Sequence, residues 1–186
     1  MKKEYCFKID DYKEDKEKNF MKHYYFFKYQ ELIRSQIIAL KFEEKAYIYK
    51  TIGCFLKKMQ KSFENLKIYD IIIVAPVSNK RKKERGYNQS ELLAKEISRI
   101  IKVPITKNVL YKTKNTVPQS TLNKEQRKIN AKGVYEIKNC QKIINQKILL
   151  IDDIYTTGST INECSRLIVQ QGISKNQIGV LTIAKD

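Results

Sequence analysis

The chain has 186 residues and a formal charge of +17, from 37 lysines and arginines against 20 aspartates and glutamates. That length supports one substantial core rather than several domains. No apolar run approaches the length of a membrane span and the charged start has no signal-peptide apolar region, which predicts a cytoplasmic protein without membrane insertion.

The charge creates a field that attracts polyanions, nucleic acid among them. Only Arg34, Arg81, Arg85, Arg99, Arg127 and Arg166 are arginine, the rest being lysine in a chain rich in asparagine and isoleucine. Such usage fits an AT-rich genome as well as it fits selection for DNA or RNA binding. Cys6, Cys54, Cys140 and Cys164 contain no C-x-x-C pair, which speaks against zinc and against a disulfide framework. The single histidine, His23, lies in an aromatic run and reads as structural rather than as a ligand or acid/base group.

In chain order, residues 1–22 are charged and aperiodic and read as a loosely ordered leader, which leaves 23–186 as the domain. Residues 24–27, with Tyr29, predict a short aromatic strand. Leu32, Ile33, Ile37 and Leu40, then Tyr49, Ile52, Leu56, Met59 and Phe63, recur at helical spacing and predict two helices. The run Ile71-Ile-Ile-Val-Ala75 is a strand that Pro76 ends. A charged loop, 77–89, precedes a helix carrying Leu92, Leu93, Ile97, Ile100 and Ile101. Strand, basic loop and helix in succession form a phosphate-binding geometry. Arginine's planar fork suits phosphate oxygens, which singles out Arg81 and Arg85 in a chain of lysines; a solvated charge run is the competing reading.

Residues 103–111 predict another strand, with Pro104 at its start. Residues 112–132 have no regular apolar pattern but many bases, and read as a lid or insert. After a short strand at 134–137, the run Ile148-Leu-Leu-Ile151 predicts a strand buried on both faces. It ends in Asp152 and Asp153 and the turn Ile154-Tyr-Thr-Thr-Gly-Ser-Thr160. A helix with Ile161, Cys164, Leu167 and Ile168, capped by Gly172, and a strand at 178–183 complete the chain. This succession predicts an α/β fold, a mostly parallel sheet flanked by helices, with a small N-terminal helical and strand element.

The end of the 148–151 strand carries the chemistry. There a parallel strand opens into a crevice, and the next helix directs unpaired N–H groups into it. Thr156, Thr157, Gly158, Ser159 and Thr160 supply amides and hydroxyls for one phosphate, with Gly158 allowing close approach. Two carboxylates beside an anion site would repel the anion, so they imply a further partner: the vicinal hydroxyls of a ribose, with or without Mg²⁺.

The run from Ile148 to Thr160 resembles the phosphoribosyl pyrophosphate (PRPP) signature of type I phosphoribosyltransferases, with Tyr155 as the one bulky exception. Three segments together resemble the ComF (competence protein F) family. They are Pro76 with Lys80-Arg-Lys-Lys-Glu-Arg-Gly-Tyr-Asn-Gln89, then Thr116 and Gln119 with Leu122, Arg127 and Asn130, then Asp152-Asp-Ile-Tyr-Thr-Thr-Gly-Ser-Thr160. Residues 24–41 are similar to the segment before the family's core. Members usually begin with a Cys-rich zinc segment, and here only Cys6 lies in that region.

The resemblance implies a type I phosphoribosyltransferase-like fold that binds PRPP with Mg²⁺, and a part in natural competence and the handling of incoming single-stranded DNA beside other competence proteins. By the same resemblance Asp152 and Asp153 would be the catalytic acids holding the ribose hydroxyls, and Thr156, Thr157, Gly158, Ser159 and Thr160 would hold the 5′-phosphate. Lys80, Arg81, Arg85 and Gly86 would face the pyrophosphate, and Gln119 and Arg127 would belong to a lid. Mg²⁺ would bridge ligand oxygens, with no dedicated protein cage. Two alternatives stand beside this reading. One is a nucleobase phosphoribosyltransferase of salvage metabolism, although hypoxanthine-type enzymes place an acid where Thr156 stands, to assist proton transfer at the base. The other is a non-enzymatic DNA-binding or PRPP-sensing protein.

Overall fold

The computed structural model describes residues 7–30, 33–35, 53–54, 56–114, 116 and 123–186. Leu32, Ile37, Leu40, Tyr49 and Ile52 of the two helices predicted early in the chain lie outside these residues, as do Cys6, Gln119 and Leu122.

Five strands form one sheet: β1 (Lys8–Asp11), β2 (Lys22–Lys28), β3 (Ile71–Val74), β6 (Ile148–Tyr155) and β7 (Ile178–Lys185), in the order β1-β2-β7-β6-β3. β2, β7, β6 and β3 run parallel, and only β1 is antiparallel to its neighbour. β4 (Leu110–Lys112) and β5 (Tyr135–Ile137) pair apart from it as an antiparallel ribbon. Among the described residues the helices that position the strand ends are α1 (Asn79–Arg85), α2 (Gln89–Ile101), α3 (Lys124–Ala131) and α4 (Ser159–Val169). The protein is therefore α/β with a mostly parallel sheet flanked by helices. Among the described residues no helix is long and apolar enough to cross a membrane.

The two-residue alternation of strands sorts the apolar side chains into two layers. On one face Ile72, Leu149, Ile151, Leu181 and Ile183 meet Leu93, Ala94 and Ile97 of α2, together with Leu56 and with Leu66 from a 3₁₀ helix over Gln60–Ile68. On the other, Ile71, Ile73, Ile148, Leu150, Ile178 and Val180 meet Ile161, Cys164 and Ile168 of α4 and Val109, Leu110, Val134 and Tyr135 around the ribbon. Both faces being covered explains why β3, β6 and β7 read as unbroken apolar runs.

Several expectations are corrected. The leader is not loose over residues 7–22: β1 pairs with β2 from Lys8↔Tyr25 to Asp11↔Lys22, and Phe20 is fully buried. A short edge strand carries charge by design, so composition concealed it. The 77–89 loop contains a seven-residue helix, α1, built from Lys, Arg and Glu. These are good helix formers without an apolar stripe, so periodicity is silent there. The 103–111 segment is not one strand. Ile105 makes a single parallel bridge to Ile72, Asn108 takes a left-handed φ of 61°, and pairing resumes only at β4. The 112–132 segment ends in α3, which a reciprocal capping box between Asn123 and Gln126 starts. Gly172 lies just beyond α4, at φ 87°, with its N–H on the Val169 carbonyl at 2.9 Å.

Gly179 of β7 lies against Tyr69, and a Cβ there would overlap the Tyr69 ring and hydroxyl. Tyr69 is itself buried and donates to the Tyr24 hydroxyl at 3.2 Å. Gly179→Ala is expected to cost about 1–3 kcal/mol, seen as a lowered urea midpoint with an unchanged slope.

Candidate functional site

β6 is an interior strand, with β3 and β7 on either side, and its burial relaxes where the carboxylates begin: Asp152 and Asp153 are half-buried. Asp152 Oδ1 accepts the Ser90 hydroxyl at 2.9 Å and the Asp153 N–H at 2.9 Å. Asp153 Oδ1 accepts the N–H of Ile154 at 2.7 Å. Strand geometry continues through Tyr155. Thr156 and Thr157 then bend the chain, and Gly158, at φ 70°, opens α4. The Thr157 and Ser159 hydroxyls share a 2.7 Å bond, and the Ser159 N–H approaches Thr157 Oγ1 at 3.3 Å. α4 has no acid in its first turn and no side-chain N-cap, so its partial positive end keeps no counter-charge of its own. The five sequence-predicted turn residues thus lie together at one helix start, two strand residues after the acid pair.

Gly158 answers two demands. Its φ is positive, and a Cβ there would overlap the Tyr155 ring. Tyr155, the bulky departure from the expected pattern, is buried, with its ring centroid 4.2 Å from that of His23. Burial, first of several causes, raises its phenol well above the ordinary range, so it is a neutral packing group.

The Gly86-Tyr-Asn-Gln89 segment reaches the same place by backbone geometry. Gly86 follows α1 at φ 74°. Asn88 caps α2, accepting from the Ser90 N–H at 3.0 Å, while its Nδ2 donates to the Ala75 carbonyl at 3.3 Å. The end of β3, the start of α2 and Asp152 are therefore linked through Asn88 and Ser90, both buried. Lys80 is exposed and lies 4.0 Å from Glu84, and Lys82 lies 3.8 Å from Glu91. The side chains of Arg81 and Arg85 lie outside the description. Arg127 is half-buried on α3, which packs on α4.

Ser90 and Lys112 are not among the candidate site residues of the sequence, and Asn88 stands there only within the run that carries the family resemblance. An Asn one residue before a helical stripe is a cap signal and marks Asn88; nothing local marks the other two. Lys112 Nζ donates to Thr116 Oγ1 at 2.7 Å and lies 5.6 Å from the Tyr135 ring centre. It and Asp152 both act on Cys164. That fully buried thiol is pushed up by burial, then by the carboxylates of Asp152 and Glu163, with Lys112 opposing. Cys164 is thus an inert small hydrophobe behind the acid pair.

His23 is structural, as expected. Its Nε2 lies 2.9 Å from Thr182 Oγ1, whose own proton goes to the Ala184 carbonyl at 3.1 Å. Nε2 therefore carries the hydrogen. Burial, then the charges of Lys185 and Lys18, lower its pKa from 6.5 to about 3.

The chain is thus an α/β protein whose mostly parallel sheet carries a carboxylate pair and a hydroxyl-rich turn towards the carboxyl end of an interior strand. No protein-family model matches it. Over 154 residues, 81% of this chain, it is 30% identical to competence protein F of Haemophilus influenzae, covering 67% of that protein. It is 29% identical over 116 residues to the DNA utilization protein YhgH of Escherichia coli K12, covering 50% of it. It is also 28% identical over 148 residues to competence protein ComFC of Bacillus subtilis, covering 56%. The chain belongs to the ComF family, and it spans between half and two thirds of the length of these relatives.

Ser90→Ala removes the hydroxyl from Asp152 and is expected to cost about 1–2 kcal/mol, measured by urea denaturation at neutral pH. His23 is held neutral in the fold while the unfolded chain takes up a proton below about pH 6.5. Its contribution is therefore complete above that pH and is lost as pH falls from 6.5 towards 3. His23→Gln, followed by the urea midpoint against pH, is expected to show a shallower loss than the parent over that window.

Proposed function

We propose that this ComF-family protein binds PRPP through a type I phosphoribosyltransferase-like arrangement, and that it serves natural competence in the handling of incoming single-stranded DNA. The observation that carries the ligand reading is Asp152. A half-buried carboxylate at the end of a parallel strand is oriented by the Ser90 hydroxyl and the Asp153 N–H. The strand that carries it runs on to Tyr155 and leads into a hydroxyl-bearing helix start. Carboxylates accept from vicinal hydroxyls and amides cradle phosphate, so the pair and the turn together suit a phosphorylated ribose. The biological reading is supported by the relatives' names, competence protein F, ComFC and DNA utilization protein YhgH.

In this reading Asp152 and Asp153 hold the ribose 2′- and 3′-hydroxyls, and the amides and hydroxyls of Thr156, Thr157, Gly158, Ser159 and Thr160 hold the 5′-phosphate. Lys80, Arg81, Arg85 and Gly86 face the pyrophosphate. The oxygen donors present fit Mg²⁺, which takes one or two carboxylates together with ligand phosphates. Among the described residues no three His, Cys, Asp or Glu side chains converge to hold a metal, so ligand oxygens would complete its shell beside Asp152 and Asp153. Bound there, Mg²⁺ would offset charge on a departing pyrophosphate. Fixed cations of the α1 segment would do the same, and the segment carrying Gln119 and Arg127 would close over the site and exclude water.

The position of Thr156, which offers no acid to a base, favours binding or a non-hypoxanthine acceptor over salvage of that kind. The basic surface would engage the phosphates of a single strand, with an affinity that falls steeply with salt.

The test is calorimetry of the full chain with PRPP and Mg²⁺. Asp152→Asn combined with Asp153→Asn is expected to lower affinity at least about 100-fold, taking two charge-assisted contacts at about 1.5–3 kcal/mol each. Equal affinity in parent and double variant would overturn the site assignment. Titration of single-stranded DNA with and without PRPP, at two salt concentrations, shows whether the two ligands compete.

A further inference from the structure

Residues 12–21 connect β1 to β2 and stand outside the sheet, yet they are bonded around the turn at 156–160. Asn162, in the first turn of α4, accepts at Oδ1 from the Asn19 N–H at 2.9 Å and from Asn19 Nδ2 at 3.2 Å. Its Nδ2 donates to the Glu17 carbonyl at 2.9 Å. Its own N–H bonds the Gly158 carbonyl at 2.8 Å. One side chain therefore joins the connecting segment to the first turn of α4 by three hydrogen bonds, and its backbone N–H makes that helix's bond to the Gly158 carbonyl.

A second contact lies behind the turn. Phe20, fully buried, meets Tyr155 edge-on at 6.4 Å, and Tyr12 meets Phe20 edge-on at 5.3 Å. Tyr155 fills the space that a side chain on Gly158 would need, and its carbonyl accepts from the Asp186 N–H at 2.9 Å. Lys175 Nζ holds the segment from its far side, donating to the carbonyls of Asp15 at 2.9 Å and Tyr12 at 3.4 Å.

A charged connection between two antiparallel strands normally runs over the surface and satisfies its polar groups with water. Here the bonds go instead to the one helical turn that would present amides to an anion. Such a site depends on holding its N–H groups at a fixed spacing, and supporting contacts set how well it does so.

We propose that residues 12–20 form a strap that holds the 156–160 turn in its anion-binding shape, with Asn162 as the positioning residue and Tyr155 as the wedge behind Gly158. The strap rests on the reading of this turn as a phosphate site. Asn162 acts through the Gly158 carbonyl and the amides of the turn rather than on a ligand.

The experiment uses the full chain, ribose 5-phosphate as the probe, and Asn162→Ala beside Asn19→Ala. Asn162→Ala removes all three side-chain bonds and is expected to weaken ribose 5-phosphate about tenfold, whereas Asn19→Ala, which removes only the longest, costs less than about threefold. Hydrogen exchange gives the independent readout. In Asn162→Ala the amide of residue 162, bonded to the Gly158 carbonyl of the turn, and those following it in α4 are expected to exchange faster, with those of β7 unchanged. Exchange there as slow as in the parent overturns the strap, and so does faster exchange with unaltered affinity. If the parent itself does not bind ribose 5-phosphate, the phosphate reading falls, and the strap stands or falls on the exchange rates alone.

Discussion

Burial of β6 on both faces is the constraint from which the site follows. From Ile148 to Ile151 the strand is fully buried, with β3 and β7 on either side and a helical layer over each face. An unpaired carboxylate placed there would carry an uncompensated desolvation cost. Charge enters where β6 passes beyond its last pair with β3, and there Asp152 takes the Ser90 hydroxyl and its neighbour's amide. That contact spans 62 positions in sequence and draws the first turn of α2 onto the end of β6. The cap at Asn88 and its bond to the Ala75 carbonyl then fix the start of α2 against the end of β3.

The same end of the sheet is closed from the other side by aromatic packing. His23, Tyr155, Phe20 and Tyr12 form a chain of ring contacts between β2, the end of β6 and the connection after β1. Near it the Lys185 ammonium bonds Asp10 and lies 5.5 Å from the Tyr25 ring centre. The site is thus bounded on one side by a polar network that orients a carboxylate, and on the other by an apolar wall that shapes a glycine turn. The two have different sensitivities: removing a donor from Asp152 leaves a half-buried charge less well satisfied, whereas disturbing Tyr155 changes backbone shape.

Legibility in the sequence followed the range of the interactions. The strands at 71–75, 148–151 and 178–183 and the helices carrying Leu93 and Ile161 were readable because burial imposes apolar runs or stripes on the chain itself. Asp152, Asp153 and the turn from Thr156 to Thr160 were readable because a strand end, an acid pair and a glycine-led helix start are contiguous. α1 and β1 were not, since charged residues form both exposed helices and edge strands without any apolar period. Ser90 gave no local sign of its partner, and Asn162 none of its contact with Asn19, because each is a polar residue in an ordinary helical first turn.

The amino-acid sequence by itself determined the α/β class, the buried strand at 148–151 and the place where its acids and hydroxyls emerge, because these depend on hydrophobic periodicity and on neighbours within a few residues. Only the tertiary structure decided that Ser90 orients Asp152, that Tyr155 must stand over a glycine, and that residues 12–20 are bound to the helix that starts the turn. These contacts join positions 62 to 145 residues apart or depend on which neighbours the folded sheet brings beside a ring. Both are settled by strand order and helix placement, which no local pattern encodes.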